Sequence, residues 1–244
     1  MNGRMGGMVA LAAVALAGCK PAAPVPTGPP TAAVAAACRP TFTVDGAPAQ
    51  AGTAFLVEPA AGAAPVLATA LHLFGPDGGQ PAQIAPAELP ARVRLAACEG
   101  LSGGTLVGGG TALTIAGTAP YQAGGDALRD LAAFRVVAAP TTPRLKLAAD
   151  DPGVGDPVWL VARVAGRPET QLLHRATVVS AGPEALEYRF DDAGLDLKAT
   201  SGAPMVNGAG EVVGVNLLSF ENPTGPTGGG VAPAQLRRLL AGVR

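Results

Sequence analysis

Charge is scarce in this sequence and nearly balanced in sign. Asp, Glu, Lys and Arg make up 14% of the 244 residues, with 17 basic and 18 acidic side chains. Because no excess of positive charge is available to neutralise phosphates, the composition argues against nucleic acid and anionic lipid surfaces as partners. Hydrophobic residues make up 48% of the chain, which is ample for a buried core. We therefore expect a folded domain.

Histidine is also scarce, and the glycine-rich runs lack the context that cofactor sites need. The chain contains two histidines, His72 and His174, so no cluster has the ligand spacing of a metal site. The runs Gly108–Gly110 and Gly228–Gly230 lack the strand-to-helix context and the lysine of a phosphate-binding loop. We expect no metal and no cofactor, and we expect both runs to be flexible loops.

The N-terminal apolar run, Met8 to Ala17, is too short to span a bilayer. Arg4 precedes it and Leu16-Ala17-Gly18-Cys19 closes it, which is typical of a targeting segment. A Cys directly after Leu-Ala-Gly resembles the lipobox of bacterial lipoproteins, although a chance Cys is the alternative. The resemblance implies a signal peptide at 1–18, a lipidated Cys19, and an exported protein of the cell envelope. Membrane contact would then be through the lipid anchor alone, and Lys20 favours an outer membrane where one exists.

Composition divides the rest of the chain in two. Residues 19–37 are mainly Pro, Ala, Thr and Gly, which predicts a flexible tether. The folded domain is expected at 38–244. It contains Cys38 and Cys98, and an even pair outside the cytoplasm predicts a disulfide, with two buried thiols as the alternative.

Short apolar runs separated by turn-forming residues predict an all-β domain. Only Ala232 to Val243 has the apolar spacing of a helix. The predicted strands are Phe42–Val44, Thr53–Val57, Val66–Leu71, Val93–Ala97, Leu113–Ala116 and Leu131–Val136, then Val158–Val164, Leu172–Val179, Leu186–Phe190, Pro204–Val206 and Val212–Leu218. Two sets of about six strands fit a pair of barrels better than one sandwich, but strand number alone does not decide between them.

Three segments carry residues of the types that take part in catalysis. His72 follows Thr69-Ala70-Leu71, Asp130 opens Asp130-Leu131-Ala132, and Ser201 lies in Ala199-Thr200-Ser201-Gly202-Ala203-Pro204. Taken singly, each could have an ordinary structural role: a histidine at a strand end, an aspartate in a turn and a serine in a polar hairpin.

Together, with Gly52-Thr53-Ala54-Phe55-Leu56-Val57 before them, the segments resemble the trypsin-like (chymotrypsin-type) serine peptidases, in which His, Asp and Ser follow in this order. The resemblance covers about residues 38–244. It implies two packed six-stranded antiparallel β-barrels, about 38–140 and 150–244, with a C-terminal helix. It also implies a serine endopeptidase with a protein or peptide substrate, which we expect to be a monomer.

The resemblance implies a role for each residue. His72 would be the general base, Asp130 would orient its ring, and Ser201 would be the nucleophile. The backbone N–H groups of Ala199 and Ser201 would form the oxyanion hole.

Two positions depart from the family pattern. Ala199 replaces a nearly invariant glycine, which would strain the backbone wherever φ is positive. Leu217 replaces a Ser that supports the catalytic Asp in many members, so that support must come from elsewhere.

The resemblance also places the walls of the specificity pocket. They would include Leu195, Leu217, Leu218 and Ser219, none of them acidic, which favours a small or apolar residue before the cleaved bond. Asp191, Asp192 or Asp196 could enter instead. His174 is either a strand residue or, as in some acid-preferring members, a pocket residue.

Two alternative functions are compatible with some of these features. A catalytically inactive member of the same fold would act as a binding module, with Ala199 as its lesion. A structural envelope lipoprotein would carry the three motifs by coincidence. Fold alone does not decide between an enzyme and a binding module.

Overall fold

Short strands separated by tight turns make up most of the chain that the computed structural model describes. It describes residues 28–121, 127–220, 222–223 and 225–243. The predicted signal peptide, Cys19 and the first part of the predicted tether lie outside these residues. No helix within them is long and apolar enough to cross a membrane.

The first half of the chain forms a closed antiparallel barrel. Its order is β1-β3-β4-β8-β7-β5, and β5 pairs back with β1. Strands β2 and β6 extend the sheet, and β9 pairs in parallel with β3. The strands are β1 Ala37–Val44, β2 Ala47–Gln50, β3 Ala54–Glu58, β4 Val66–Thr69, β5 Val93–Gly100, β6 Thr105–Val107, β7 Gly110–Ala112, β8 Ala132–Val136 and β9 Leu145–Lys146.

Three phenylalanines fill the centre of this barrel. The ring centroid of Phe42 lies 4.9 Å from that of Phe74 and 5.3 Å from that of Phe134. Each side chain is almost completely buried. Such aromatic contacts add to the hydrophobic stabilisation of a small core.

The predicted disulfide is present. Cys38 on β1 and Cys98 on β5 are bonded, with their Cα atoms 5.5 Å apart. Both side chains are fully buried. The bond closes the barrel covalently between two strands that are far apart in sequence.

The second half forms another closed antiparallel barrel, in the order β10-β11-β12-β15-β14-β13. Its interior holds a separate apolar cluster that includes Leu160, Tyr188 and Met205. The strands are β10 Pro157–Val161, β11 Leu173–Ala181, β12 Ala185–Phe190, β13 Pro204–Val206, β14 Val212–Phe220 and β15 Thr227–Val231. The two barrels are the predicted architecture.

A third apolar cluster lies between the barrels and under the C-terminal helix. It joins Phe55 of the first barrel to Trp159 and Val215 of the second, and it includes Leu236 and Leu239. These two leucines belong to α2, Pro233–Leu240, which confirms the predicted helix. The other α-helix, α1 Leu89–Arg92, is a single turn.

The expectation that the chain is a flexible tether as far as residue 37 is wrong for its last part. Thr31–Ala36 forms a 3-10 helix whose Ala33 and Ala36 are buried in the cluster between the barrels. Large apolar side chains are not needed there, because alanine fits the narrow space beside two packed barrels.

The expectation of flexible glycine loops is also partly wrong. Gly228–Gly230 lies within β15 and is buried, and Gly110 opens β7. The predicted strand Leu113–Ala116 lies just after β7 and is not a strand. A Cβ on Gly230 would overlap the carbonyl of Val215 on β14, so glycine permits a close approach between neighbouring strands.

Candidate active site

His72 and Asp130 form a buried pair in the first barrel. His72 opens the 3-10 turn His72–Phe74 after β4, and Asp130 lies between the 3-10 turn Ala127–Arg129 and β8. Because β4 pairs with β8, these two turns emerge side by side. His72 Nδ1 contacts Asp130 Oδ2, and the exposed fractions of the two residues are 5% and 0%.

The backbone of His72 holds the second oxygen of Asp130. The His72 N–H donates to Asp130 Oδ1 over 2.8 Å. The carboxylate therefore has a fixed orientation without a supporting serine, and the corresponding position, Leu217, is buried between the barrels. A carboxylate held in this way fixes the tautomer of its imidazole, with Nδ1 protonated and Nε2 able to accept a proton.

Ser201 lies in a tight turn of the second barrel, between β12 and β13 and directly before β13. Ala199 in this turn has a φ of 61°, a left-handed conformation that is uncommon for alanine. Among the described residues, none accepts a hydrogen bond from the backbone N–H of Ala199 or of Ser201. Both donors are therefore available to an external group.

The first barrel braces this turn. The Thr53 N–H donates to the Ser201 carbonyl over 2.9 Å, and the Thr69 hydroxyl donates to the Thr53 carbonyl over 2.7 Å. Gly202 has a φ of 83°, and a Cβ there would overlap Thr69 and Thr53. The glycine after Ser201 is thus needed both for its backbone angle and for contact between the barrels.

Buried neutral hydrogen bonds fix the turn from the side of the second barrel. The Thr200 hydroxyl donates to the Leu197 carbonyl over 2.6 Å and accepts from Asn216 Nδ2 over 2.9 Å. Tyr188 donates its hydroxyl proton to Asn216 Oδ1 over 2.6 Å. Burial raises the pKa of Tyr188 well above its usual range, so this donor keeps its proton through the neutral and mildly alkaline range.

His72 and Ser201 line one open cleft of about 590 Å³. No hydrogen bond joins their side chains in the part of the chain described. Such contacts are often loose without substrate and tighten when it binds. Tyr121 and Leu217 also line this catalytic cleft, as do Leu218 and Ser219.

A neighbouring pocket of about 360 Å³ opens beside the catalytic cleft and shares Ser219 and Phe220 with it. Leu195 and Leu197 are the buried apolar residues of its lining. The structure therefore places Leu195, Leu217, Leu218 and Ser219 around two adjoining cavities.

One acidic residue enters the lining of this pocket. Asp196 lies there beside Lys198 and accepts a hydrogen bond from the Lys198 backbone N–H over 3.0 Å. Asp191 and Asp192 form ion pairs with Arg175 and Arg167. The hydrogen-bonded Arg167 guanidinium lowers the pKa of Asp192.

The end of β14 presents an open edge to the catalytic cleft. Pairing between β13 and β14 ends at Val215, whereas β14 remains paired with β15 as far as Phe220. Asn216 still bonds to Ala203 and Gly202 through its backbone. From Leu217 onward, no described strand pairs with the edge on the side of Ser201, and an unpaired edge of this kind has the geometry to add an extended strand.

His174 is a buried strand residue of β11 and lines none of these cavities. Its Nε2 lies 3.1 Å from the Ala162 carbonyl, and its Nδ1 has no partner among the described residues. Burial lowers the pKa of His174. It is neutral at pH 7 and has no place in the chemistry of the cleft.

The residues described here include no group of three or more His, Cys, Asp or Glu side chains placed to hold a metal ion. A serine hydroxyl, an oriented imidazole and two available N–H donors are the groups needed for acyl transfer.

Sequence reasoning missed the residues that hold the nucleophile turn. Thr53, Thr200, Tyr188 and Asn216 make long-range contacts, and no local pattern marks such contacts. Thr200 is the exception, because its position directly before a candidate nucleophile was visible in the sequence and a buried hydroxyl there needs a hydrogen-bond partner.

Comparison with known proteins agrees with this geometry. A family model described as a trypsin-like peptidase domain matches residues 52–215, which is about two thirds of the chain. No curated protein matches the chain.

Solved structures resemble the fold at low sequence identity. The active form of the Rv3671c protease from M. tuberculosis superposes with a TM-score of 0.53 and 16% identity, covering 93% of each chain. The inactive form of the Rv3671c protease gives a TM-score of 0.52 at 16% identity, covering 86% of this chain and 90% of that one.

Proposed function

Because this chain belongs to the trypsin-like peptidase family, we propose that it is a serine endopeptidase that cleaves peptide bonds through an acyl-enzyme. The main support is the buried His72–Asp130 pair, which shares a cleft with Ser201. In this proposal the three residues form the catalytic triad.

Ser201 would act as the nucleophile with His72 as its base. As Ser201 Oγ bonds to the substrate carbonyl carbon, its proton passes to His72 Nε2, and Asp130 stabilises the imidazolium. The imidazolium then gives this proton to the departing amine as the C–N bond breaks. A water molecule, deprotonated by His72, then attacks the ester carbon, and the imidazolium returns this proton to Ser201 Oγ as the bond between the carbon and Oγ breaks and the acid product leaves.

The N–H groups of Ala199 and Ser201 would stabilise the oxyanion. Each such donor contributes about 3 kcal/mol of transition-state stabilisation in related sites. The left-handed conformation of Ala199, together with the absence of a partner for its N–H in the described chain, supports an oxyanion hole that is formed before substrate binds.

The substrate would lie as an extended strand along the open edge of β14. Leu217–Ser219 would supply backbone hydrogen bonds, and the pocket beside Leu195 would take the side chain before the cleaved bond. The two buried leucines of this pocket favour a small or apolar side chain. Asp196 and Lys198 also line this pocket, but both are exposed, and Asp196 already accepts a hydrogen bond from the Lys198 backbone N–H.

We also propose that the peptidase is exported and anchored in the cell envelope through a lipid on Cys19, as a monomer. The support is the sequence Leu16-Ala17-Gly18-Cys19 after an apolar run. Metabolic labelling with a clickable fatty acid, beside a Cys19→Ala variant, tests the anchor. Equal labelling of the two proteins would rule it out.

A second function has one observation in its favour. An alanine in a left-handed conformation is strained by about 1 kcal/mol or more, and such strain favours an alternative peptide orientation that would spoil the oxyanion hole. The fold would then serve as an inactive binding module of the envelope.

Fluorophosphonate labelling, read by intact mass, separates these functions. We expect the purified full-length protein in detergent to gain one adduct, and the Ser201→Ala and His72→Ala variants to gain none. Thermal unfolding of all three proteins provides the control for folding. A folded wild type that does not react would contradict the peptidase and support the binding module.

A further inference from the structure

A second cleft, which we call the basic cleft, continues from the catalytic cleft between the two barrels. Its volume is about 420 Å³. Arg39 contributes to its wall from the first barrel, and Arg163, Arg167 and Lys198 contribute from the second. One acidic side chain, Glu169, is part of the same lining.

The basic cleft adjoins the catalytic cleft at the proposed oxyanion hole. Gln50, Ala51, Gly52 and Ala199 line both cavities. The open edge of β14 lines the catalytic cleft and not the basic cleft. A peptide whose acyl half lies on that edge therefore passes Ala199 and continues with its leaving-group half into the basic cleft.

Two of the four cations have acidic neighbours. Arg167 forms an ion pair with Asp192, with Nε 2.7 Å from Oδ2. Arg39 on β1 lies directly opposite Glu99 on β5 in the strand register. The ion pair compensates the charge of Arg167, whereas Arg39 has an acidic residue opposite it in the strand register and no ion pair among the described residues.

Within the described chain, Arg163 and Lys198 have no ion-pair partner, although Asp196 lies beside Lys198 in the lining of the neighbouring pocket. Among the described residues, no carboxylate lies within ion-pair distance of either side chain. Arg163 is half-buried, and its Nε and Nη2 donate to the Leu101 carbonyl over 3.2 and 2.7 Å. A neutral carbonyl fixes the orientation of the guanidinium without neutralising its charge, so Nη1 stays available for an anion.

We infer that the basic cleft binds an acidic side chain on the leaving-group half of the substrate, with Arg163 and Lys198 as specificity-determining residues. This inference rests on the proposed peptidase function. An Asp or Glu carboxylate gains charge-assisted hydrogen bonds from a guanidinium that is already oriented, so little side-chain entropy is lost on binding. A Lys or Arg of the substrate would meet like charge in the same place.

The expected preference is moderate because the cleft is open to water. We expect kcat/KM for a peptide with Glu at the first or second position after the cleaved bond to exceed that of the Gln peptide about five- to tenfold at low salt. Raising the ionic strength from about 0.01 to 1 M should reduce this ratio, since screening weakens exposed charge interactions.

The test compares matched pairs of internally quenched peptides that differ only in Glu or Gln at these positions. The variants are Arg163→Gln and Lys198→Gln, which remove one charge each. Arg175→Gln is the matched control, because Arg175 is an exposed arginine paired with Asp191 that lines neither cleft. We expect the Glu/Gln ratio to fall towards one in the first two proteins and to stay unchanged in the third.

Binding to the Ser201→Ala protein provides a readout that does not depend on catalysis. Fluorescence anisotropy of the same labelled peptides should show tighter binding of the Glu peptide, and Arg163→Gln in this background should abolish the difference. Equal binding of the two peptides, or a Glu preference that survives Arg163→Gln and Lys198→Gln together, would overturn the inference. If no peptide is cleaved but the Glu preference in binding holds, the peptidase function fails and the basic cleft remains a site for acidic peptides.

Discussion

Ala199 is the residue on which the proposed oxyanion hole depends most. Its φ of 61° is a conformation that glycine adopts without a steric penalty and alanine does not. The strain is opposed by the bonds that hold the turn on both sides, through Thr53 and Thr200. Because those hydrogen bonds form only in the folded protein, the backbone strain at Ala199 lowers the free energy of unfolding of the whole protein.

Replacing Ala199 by glycine should therefore stabilise the protein. We expect Ala199→Gly to raise the free energy of unfolding by about 0.5–1 kcal/mol, since relief of strain exceeds the added freedom of the unfolded chain. Urea unfolding measures the change. The matched control is Ala203→Gly, two residues after Ser201 and buried, whose φ is not positive; it should destabilise the protein. Destabilisation of the same size in both variants would show that Ala199 is not strained.

Thr200 acts on Ser201 through the shape of the turn. Thr200→Val keeps the volume but removes the hydroxyl that joins Leu197 and Asn216, which leaves buried polar groups unpaired at a cost of about 2 kcal/mol. We expect the rate of fluorophosphonate labelling to fall about tenfold, with peptide KM changing much less. Thr200→Ser, which retains the hydroxyl, should recover most of the rate. A loss of stability in Thr200→Val at an unchanged labelling rate would limit Thr200 to a structural role.

At the scale of elements, the motifs that carry His72, Asp130 and Ser201 were visible in the sequence, and the residues that support them were not. His72, Asp130 and Ser201 each stand in a short pattern that is visible in the sequence. By contrast, the hydrogen bonds from Tyr188 through Asn216 to Thr200 join three separate segments of the second barrel, and only the closed sheet brings these segments together.

Glycine composition misled the prediction of β15. A run such as Gly228–Gly230 normally indicates a loop, because glycine has no side chain to pack in a strand. Here β15 lies so close to Val215 and to the ring of Tyr188 that larger residues do not fit. Tertiary packing thus overrides the local preference. The same applies to Thr31–Ala36, which lacks large apolar residues and is ordered by the two barrels beside it.

Adjacent glycines of β15 should respond very differently to the same substitution. A Cβ on Gly230 would overlap the backbone of Val215, whereas the nearest atom to a Cβ on Gly229 is the edge of the exposed Phe220 ring at 3.3 Å. We expect Gly230→Ala to lower the free energy of unfolding by about 2 kcal/mol or more, and Gly229→Ala to change it by about 0.5 kcal/mol at most. Urea unfolding of the pair measures both effects, and equal losses would contradict the close approach of β14 and β15.

For the whole molecule, two barrels in contact explain why the site lies where it does. The first barrel supplies His72 and Asp130, the second supplies Ser201, and the apolar cluster between the barrels fixes their relative position. The number of barrels followed from the strands and motifs together. The shape and charge of the clefts between them depend on long-range packing, and for that reason the basic cleft was not visible in the sequence.

The whole molecule should also lose stability in mild acid because of His174. Burial lowers the pKa of His174, and the nearby Arg167 acts in the same direction, while the Ala162 carbonyl and Asp192 oppose them in part. Since the pKa is lower in the folded state than its usual value of about 6.5, the unfolded chain binds the proton more readily. The contribution of His174 to the free energy of unfolding is therefore fully present above pH 6.5 and falls as the pH drops towards the folded-state pKa, with a slope of at most about 1.4 kcal/mol per pH unit.

Urea unfolding at pH 7.5 and pH 5 tests this prediction: the difference in free energy of unfolding between the two pH values should be smaller for His174→Gln than for the wild type. Because His72 and all carboxylates remain in both proteins, their contributions cancel in this comparison, and an identical pH dependence would show that His174 is protonated as easily in the folded chain as in the unfolded one.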